Sequence, residues 1–595
     1  MSAQELITEH IDLWTSAIKA KNTQGRGSSK KRELYGVKKL RELILELAVR
    51  GKLVAQDSSD EPASVLLERI AEAKSQLIKE NKIKKQKPLP KIPDEEKPFY
   101  RPNGWEWARL GEVTNYGSSD KVESKNAVSN TWVLELEDVE KETSKLLQKI
   151  RFCDREFKSS KNKFYEGDVI YGKLRPYLDK VIVADENGVC TTEMIPVRAH
   201  AALAPHHLRL IMKSPYFKEY ANNSTHGMNL PRMGTDKARL AVIPIVPELE
   251  QHRIVAKVDE LMALCDQLEQ QTESSLDAHN LLVDTLLTTL TDARDANELS
   301  DNWARLMATD GLYAGNAGAI SGGQSVFDTL ITTDYAVEQL KQTILQLAVQ
   351  GKLVPQDPSD EPASELLKRI AAEKEKLIQD KKIRKQKSLP PIMAEDKPFD
   401  LPEGWEWLRF GQVTISRLGK MLDKAKNKGT LLPYLRNTNV QWHRFELDDI
   451  KLMQIEDDEI EELLLRKGDL LICEGGHPGR CAIWKDESRQ MFFQKALHRA
   501  RPLGNVLSEY LQCCLTIDAA TNSLDKYFTG ATIKHFVGAK LNNYVIPIPP
   551  VEEQHRIVAK VNELIILCNQ LKTRLTEAQT TQLHLADAIT EQAIN

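Results

Sequence analysis

Acidic side chains beside a lysine are the first grouping in the chain whose residue types could do chemistry. Glu135, Glu137 and Asp138 lie close to Lys141, a combination that occurs in nuclease sites. Such clusters arise freely in a chain with 86 acidic residues, so we interpret this one as a charged, solvated face. The carboxylates therefore do not by themselves predict an enzyme.

Two cysteines and a histidine form a second candidate, this time for metal binding. Cys473, His477 and Cys481 supply only three ligands, and their spacing matches no standard zinc motif. Ordinary loop and core cysteines are the better interpretation. The sequence also lacks a phosphate-binding loop, a dinucleotide-binding glycine motif and a nucleophile elbow. We therefore expect no catalytic residues, no metal and no cofactor on this chain.

Cationic and planar side chains next to turn residues indicate a different chemistry, the reading of DNA. Arginine, lysine, asparagine and histidine make contacts to base edges and phosphates. The alternative for each is an ordinary solvated surface group. The candidates are Lys173, Arg175, Tyr177, Asn229 and Arg232 in the first half, and Arg436, Asn437, Asn439, Arg480, Lys534 and His535 in the second.

Basic connectors offer a second kind of DNA contact. They combine lysines with prolines, which break helices and stiffen the chain. The cationic residues are Lys82, Lys84, Lys85 and Lys87 in one connector, and Lys381, Lys382, Arg384, Lys385 and Lys387 in the other. They either touch phosphate or belong to a solvated connector.

A tandem duplication must position these residues. Residues 47–54 recur with one change at 347–354, and residues 250–258 reappear unchanged at 553–561. In contrast, residues 115–240 and 415–540 share little. A common frame around two divergent middles indicates one scaffold that holds two different recognition surfaces.

Hydrophobic periodicity predicts the elements of each half. A helix is expected over residues 64–83, with Pro62 at its start. Strands are expected at 167–171, 180–184 and 468–472, and proline-containing strands at 242–245 and 545–548, where proline suits an edge strand or a strand end. Glycine-rich stretches at 25–29 and 311–323 resemble flexible links.

Each half ends in a long predicted helix, the first over about residues 250–296. Both carry a narrow apolar seam whose steps alternate between three and four residues. We expect the seams to pair with each other; the alternative is that each helix covers its own domain. The seam residues are Ile254, Val258, Leu261 and Leu268 in the first helix, and Ile557, Val561, Leu564 and Leu571 in the second.

The predicted fold class is α+β: two α/β recognition domains in tandem duplication, separated by long, paired, coiled-coil-like helices. The expected segments are an N-terminal helical region (1–50), a helical extension and connector (51–98), a first recognition domain (99–249), a central long helix (250–298), a linker and helix (299–350), a repeated extension and connector (351–398), a second recognition domain (399–552) and a C-terminal long helix (553–595).

Composition restricts the class of protein further. The net charge of −4 argues against a surface coated in positive charge but allows local basic patches. No apolar run reaches the ~18 residues needed to cross a bilayer. Eight cysteines scattered over 595 residues do not form a disulfide framework. We therefore expect a soluble, cytoplasmic protein with no membrane partner.

Several phrases in order resemble type I restriction-modification specificity subunits. They are the two Gly-Trp-Glu-Trp segments, the Gly-Asp-hydrophobic strands, the Ile-Pro-Ile strands and the Glu-Gln-x-Arg-Ile helix starts. The resemblance implies that each recognition domain reads one half of a split site in double-stranded DNA. It also implies two methyltransferase subunits as partners, with S-adenosylmethionine bound on them, and motor-nuclease subunits that cut unmodified DNA.

Two other hypotheses remain open beside this resemblance. A duplicated coiled-coil scaffold without DNA readout predicts no salt-dependent binding to duplex DNA. An enzyme that acts alone predicts activity from the purified chain. Residues 1–50 and the connectors extend beyond a minimal two-domain plan, and we expect them to help dock the methyltransferase subunits.

Overall fold

The computed structural model describes residues 3–20, 32–81, 83, 87–294, 296–308, 325–385, 388–423 and 427–594. It divides into two units, one formed by Met1–Ser275 with Glu577–Asn595 and the other by Leu276–Thr576. Both glycine-rich stretches and the connector residues Lys82, Lys84, Lys85 and Lys387 lie outside the described residues.

The first half of the chain contains nine helices and thirteen short strands among its described residues. The helices are α1 Ala3–Glu9, α2 Ile11–Ser16, α3 Tyr35–Val49, α4 Ala63–Lys79, α5 Leu110–Val113, α6 Pro205–Lys213, α7 Pro215–Asn223, α8 Thr235–Leu240 and α9 Glu248–Thr291. The strands are β1 Lys19–Ala20, β2 Arg32–Glu33, β3 Glu106–Arg109, β4 Lys121–Val122, β5 Trp132–Leu134, β6 Lys161–Phe164, β7 Val169–Gly172, β8 Val181–Val183, β9 Gly188–Cys190, β10 Met194–Val197, β11 Thr225–His226, β12 Arg232–Met233 and β13 Val242–Ile245.

The second half repeats this plan with its own variations. Its helices are α10 Ala296–Met307, α11 Val326–Leu330, α12 Asp334–Val349, α13 Ala363–Gln379, α14 Phe410–Val413, α15 Asp457–Leu463, α16 Ser508–Ala520, α17 Gly538–Asn543 and α18 Val551–Ile594. Its strands are β14 Glu406–Arg409, β15 Thr414–Leu418, β16 Thr430–Leu435, β17 Val440–Gln441, β18 Arg444–Phe445, β19 Lys451–Ile455, β20 Leu470–Cys473, β21 Cys481–Ile483, β22 Phe492–Phe493, β23 Leu497–Pro502 and β24 Val545–Ile548. Helices beside small, mainly antiparallel sheets confirm the α+β fold class.

The two main sheets of each recognition region are small and share a hydrophobic cluster, which includes Leu134 of β5 with Ile170 of β7 in the first region and Leu435 of β16 with Leu471 of β20 in the second. In the first half the strand orders are β10-β7-β8 and β4-β6-β9-β5, and in the second β15-β23-β20-β21 and β19-β16-β22. Between the strands that the structure describes, the pairings are antiparallel except β5 with β9 and β16 with β22. Among the described residues, the proline-containing strands β13 and β24 pair with β3 and β14 respectively and with no other strand. Proline is tolerated there because the open edge needs no ladder donor.

Helix α4 is shorter than its apolar pattern predicts. Leu66 and Ile70 form its buried stripe, but the helix ends at Lys79 and Asn81 adopts a left-handed φ of 54°. The prediction of a helix to residue 83 was therefore wrong at its end, because local backbone reversal precedes the last apolar residue. Pro62 is the N-cap residue, directly before the first helical residue Ala63.

The aspartate of each Gly-Asp phrase lies just before a buried strand and accepts several hydrogen bonds. Asp168 accepts a bond from the backbone N–H of Tyr165 at 2.8 Å and a two-pronged pair from Arg198, with both N···O distances 2.8 Å. Asp469 accepts the same pair from Arg501, with both distances 2.7 Å. Two parallel N–H···O bonds fix orientation as well as adding energy. These aspartates therefore hold the start of β7 and of β20 in place.

Each long helix is 44 residues, roughly 66 Å at 1.5 Å per residue. In the first unit, α3 contacts both of them. Arg41 donates to Asp266 of α9 at 2.7 Å, and the Tyr35 hydroxyl donates to Asp587 of α18 at 2.7 Å. The first unit therefore combines the N-terminal part of α9 with the C-terminal part of α18.

The second unit shows the same arrangement with the roles of the long helices exchanged. The Tyr335 hydroxyl of α12 donates to Asp284 of α9 at 2.8 Å. Lys572 of α18 donates to Glu338 of α12 at 2.7 Å. Here the C-terminal part of α9 and the N-terminal part of α18 flank the short helix.

The seam residues are mostly buried, as a packing role requires. Ile254, Val258, Leu261, Leu268, Ile557 and Val561 are buried, and Leu564 and Leu571 are half-buried. In the second unit, Ile557 and Val561 share a core cluster with Val337 and Leu340 of α12. That part of the seam therefore packs within its own unit, and the pairing of the two seams with each other stays a prediction.

The proline ends of the connectors are held by buried arginines. The Arg109 side chain donates to the carbonyl oxygen of Pro90 at 3.0 Å and to that of Leu240 at 2.7 Å. Arg409 does the same for Pro390 at 2.8 Å and Asn543 at 2.7 Å.

No helix within the described residues is both long and apolar enough to cross a membrane.

Candidate nucleic-acid interface

Two segments that are distant in sequence adjoin in the first recognition region. The backbone N–H of Arg175 donates to the carbonyl oxygen of Pro231 at 2.7 Å, and that of Met233 donates to Lys173 at 3.0 Å. Leu174 and Arg232 form an antiparallel bridge between them. The structure therefore joins the loop after β7 to the β11–β12 hairpin, and the first-half candidates from both segments lie on one surface.

The first-half candidates differ in exposure on that surface. Arg175, Tyr177 and Asn229 are exposed, whereas Lys173 and Arg232 are half-buried. Arg232 is paired with Glu193, with an Nε···O distance of 2.9 Å. The exposed three can reach a ligand directly, and Arg232 would first have to share or leave its carboxylate.

A buried lysine holds two of the strained backbone positions around this loop. Arg175 and Asp179 both adopt left-handed φ angles, 53° and 52°, and Ser144 adopts 60°. Lys213 donates to the Ser144 hydroxyl oxygen at 2.7 Å and to the Asp179 carboxylate at 3.2 Å. Burial lowers the pKa of Lys213 to about 8, while burial raises the pKa of Asp179. Strain of this kind persists only where surrounding contacts over-determine the backbone.

The second recognition region brings Asn437 and Arg480 together. An Arg480 guanidinium N–H donates to the carbonyl oxygen of Asn437 at 2.7 Å, and another donates to Gln441 at 3.2 Å. The Asn437 amide donates to the carbonyl oxygen of Gly475 at 3.3 Å. Both candidates therefore lie against the glycine-rich loop 474–479.

His535 reaches the same loop from a hairpin that also carries Lys534. The His535 ring Nδ1 lies 3.4 Å from the Glu474 carboxylate, and Thr529 bridges to His535 across the hairpin base. Lys534 is exposed and pairs with Asp525 at 2.7 Å. Loop and hairpin adjoin here as they do in the first half.

Two of the predicted contact residues, Arg436 and Asn439, make hydrogen bonds within their own loop. Arg436 pairs with Asp449 at 2.6 Å; Lys451 and Arg436 lower the pKa of that carboxyl. Asn439 is buried, accepts a bond from the Arg436 backbone N–H at 2.9 Å and donates to Glu446. Asn439 caps a 3-10 turn, so we leave it out of the proposed contact set.

The carboxylates considered for a nuclease site have a structural role. Asp138 is fully buried, caps the matching turn through the Glu135 backbone N–H at 2.7 Å, and accepts a bond from Arg155 at 2.9 Å. The interpretation of a solvated face was wrong for Asp138, because turn capping buries it.

Cys473 and Cys481 are buried, and His477 is exposed. Across the described part of the chain, no three His, Cys, Asp or Glu side chains are grouped to hold a metal ion.

Exposed apolar residues at the hairpin tips were missed by the sequence reasoning. Gly227 and Gly530 open the two tips with φ of 94° and 95°, and an added Cβ would crowd the carbonyl oxygen of Leu230 or Ile533. Both aliphatic side chains are exposed, as is Met228. The Gly-x-x-aliphatic spacing, present in both divergent middles, was the available signal.

Two relatives from Escherichia coli show the family to which the chain belongs. The chain is 41% identical to the specificity subunit of the type I restriction enzyme EcoAI of Escherichia coli, over 100% of both chains. The chain belongs to the type I specificity subunits. It is also 38% identical to the Escherichia coli EcoEI specificity subunit over 100% of both chains.

A family model and a solved structure agree with this assignment. The type I restriction modification DNA specificity domain matches residues 402–579 of this specificity subunit. A chain from a structure on complex assembly and conformational transition of the type I R-M system is 20% identical, with a TM-score of 0.50. That match covers 84% of this chain and 99% of the other, and at this identity it shows similarity of fold alone.

Proposed function

We propose that this specificity subunit reads a split site in double-stranded DNA, with one half-site bound by each recognition region. The observation that carries the proposal is the repeated junction of loop and hairpin. It presents Arg175 and Asn229 in the first half, and Arg480 and Lys534 in the second. Because the two surfaces differ in side chains on a common frame, they fit two different half-sites.

The proposed contact residues divide by chemistry. Exposed Arg175 and Asn229 have side chains that pair with guanine and adenine edges in the major groove. Exposed Lys534 fits a phosphate contact. The remaining members are Lys173, Tyr177, Arg232, Arg436, Asn437, Arg480 and His535.

The chain itself is proposed to be non-catalytic. Two methyltransferase subunits would bind S-adenosylmethionine and methylate the DNA, and motor-nuclease subunits would cut unmodified sites. The long helices would dock the methyltransferases and set the spacing between the half-sites. Residues 1–50 would contribute to that docking.

A surface substitution tests the docking role of the N-terminus better than a truncation. Trp14 is fully buried and its backbone lies against Gly36 of α3, so removing residues 1–30 would damage the core. Ile11 is exposed on the same segment. Ile11→Asp is expected to weaken association with the methyltransferase subunits without changing thermal stability. Unchanged association would reject a docking role for this segment.

The experiment that tests the function is a genome-wide map of methylated adenines in cells expressing this chain with its methyltransferase subunit. One split motif with two defined halves and a fixed spacer is the expected result. A stable complex that adds no methylation would instead favour the duplicated scaffold. In that case duplex binding would also lack the steep loss of affinity with salt that phosphate contacts cause.

A further inference from the structure

The hairpin tips expose aliphatic side chains among cationic ones, in both halves of the chain. Leu230 is 43% exposed and Ile533 is 66% exposed. They occupy matching places, each three residues after the tip glycine and near the hairpin's closing residue, Arg232 or His535. A water-exposed aliphatic residue gains nothing from this position in the isolated chain.

The tip geometry is the same although the sequences around it differ. Gly227 and Gly530 share a φ that other residues avoid. Each glycine leaves room for the carbonyl group of Leu230 or Ile533. Two divergent loops therefore keep the same backbone device and the same kind of side chain at one place.

The first tip extends the apolar surface further. Met228 is 101% exposed, with essentially no contact to the rest of the chain. Asn229 stands between Met228 and Leu230 and is exposed as well. An apolar group beside a base-reading amide and cations fits the stacked bases of a duplex, which present apolar faces once a step is opened.

We propose that Leu230 and Ile533 are wedges that insert at a base step, one in each half-site, and open the stacking there. The proposal rests on the proposed function and deepens it. Apolar side chains that enter a base step unstack and kink the duplex, at a cost that depends on the sequence of the step. The wedges would thus add specificity for deformable steps, such as pyrimidine–purine steps, at positions without base-edge bonds.

The test uses the complex of this chain with its methyltransferase subunits and duplexes that carry the mapped split motif. 2-Aminopurine replaces the purine of one base pair at a time, because its fluorescence rises when stacking is lost. The wild-type complex is expected to raise the fluorescence at one step in each half-site, apart from any signal at the methylated adenine. Leu230→Ser should abolish the rise in one half-site only, and Ile533→Ser in the other only.

Each serine variant is the matched control for the other, and Leu230→Met should keep the signal because it keeps an apolar side chain. Equal fluorescence in wild-type and both serine variants would overturn the wedge. So would weaker methyltransferase association with an unchanged DNA signal, because the tips would then face a protein. Selective binding of the motif without any unstacked step rejects the wedge alone, whereas no selectivity over random duplex rejects the proposed function.

Discussion

The indole N–H of Trp105 donates to the Glu250 carboxylate at 3.0 Å, and Trp405 makes the same bond to Glu553 at 2.9 Å. Both tryptophans are buried. The bond ties the first strand region of each recognition domain to the start of a long helix. It explains why the Gly-Trp-Glu-Trp and Glu-Gln phrases recur together: they are the two sides of one contact.

Trp105→Phe is expected to destabilise the first unit by about 1–3 kcal/mol, because the buried Glu250 carboxylate loses one of its donors. Burial already raises the pKa of Glu250, while the Trp105 bond lowers it. Loss of that bond should raise the pKa further. Hydrogen-exchange mass spectrometry on peptides of each unit measures the loss of stability in that unit separately. A single global unfolding transition would not separate the two units.

Trp405→Phe is the matched control for this substitution. It should lower protection in the second unit by a similar amount, because the Glu553 contact has the same geometry. Equal loss of protection in both units from either single variant would contradict a contact that acts within one unit.

Local patterns of apolar residues made much of this fold predictable. Hydrophobic runs bounded by turn residues located strands such as β7 and β13 to within two residues, and the apolar seam located the long helices. These signals are local in sequence, so they need no knowledge of the third dimension. The end of α4 escaped because a single left-handed residue, Asn81, ends the helix before its apolar pattern does.

The candidate surface was less predictable because its geometry is not local. Residue types located the loops that carry Arg175 and Asn229, but only the fold brings the loops together. Burial of Asn439 and Asp138 was equally hidden. A capping asparagine or aspartate cannot be told from a solvated one by residue type, and the capped turn itself has no strong sequence signal.

Arg175→Ala is expected to relax discrimination in the first half-site, with a loss of about 1–3 kcal/mol for the preferred base over its competitors. Its exposed guanidinium, on a backbone held in a left-handed conformation, suits a directed base contact. Binding of duplexes with each base substituted in turn measures the effect. The second half-site should be read as before.

Lys534→Ala provides a contrasting variant. An exposed lysine at a phosphate should weaken all sequences alike and reduce the salt slope of binding by about one. If Arg175→Ala also weakened every sequence equally, Arg175 would be a phosphate contact. If Lys534→Ala changed base preference in the second half-site, Lys534 would be a reader.

Lys213→Met should destabilise the first unit by about 3–5 kcal/mol, because it leaves Asp179 buried without its ionic partner. Both side chains are about 9% exposed, so solvent offers little compensation. Hydrogen exchange should show the loss first in the loops that contain Ser144 and Asp179. Discrimination in the first half-site should fall as well, since Arg175 lies on the same strained loop.

The double variant Lys213→Met, Asp179→Leu separates the pair from packing. If the buried charge causes the loss, the double variant should recover part of the stability lost in Lys213→Met. Additive losses from the two substitutions would show that the pair is not energetically coupled.

Acid should loosen the first unit through two buried histidines. Burial lowers the pKa of His200 to about 4 and that of His207 to about 3. Both values lie below 6.5, so the unfolded chain binds more protons between pH 6.5 and the folded values. Stability therefore falls as the pH drops through that range, by about 1.4 kcal/mol per pH unit for each fully buried histidine.

His207→Tyr is expected to remove about half of this dependence, because tyrosine does not titrate there. The substitution copies the second half, where Tyr510 is fully buried in the matching helix and donates to the carbonyl oxygen of Pro547 at 3.0 Å. Unfolding of the first unit between pH 4 and 7, followed by hydrogen exchange, gives the slope. An equal slope in His207→Tyr and the wild type would mean that other groups cause the acid sensitivity.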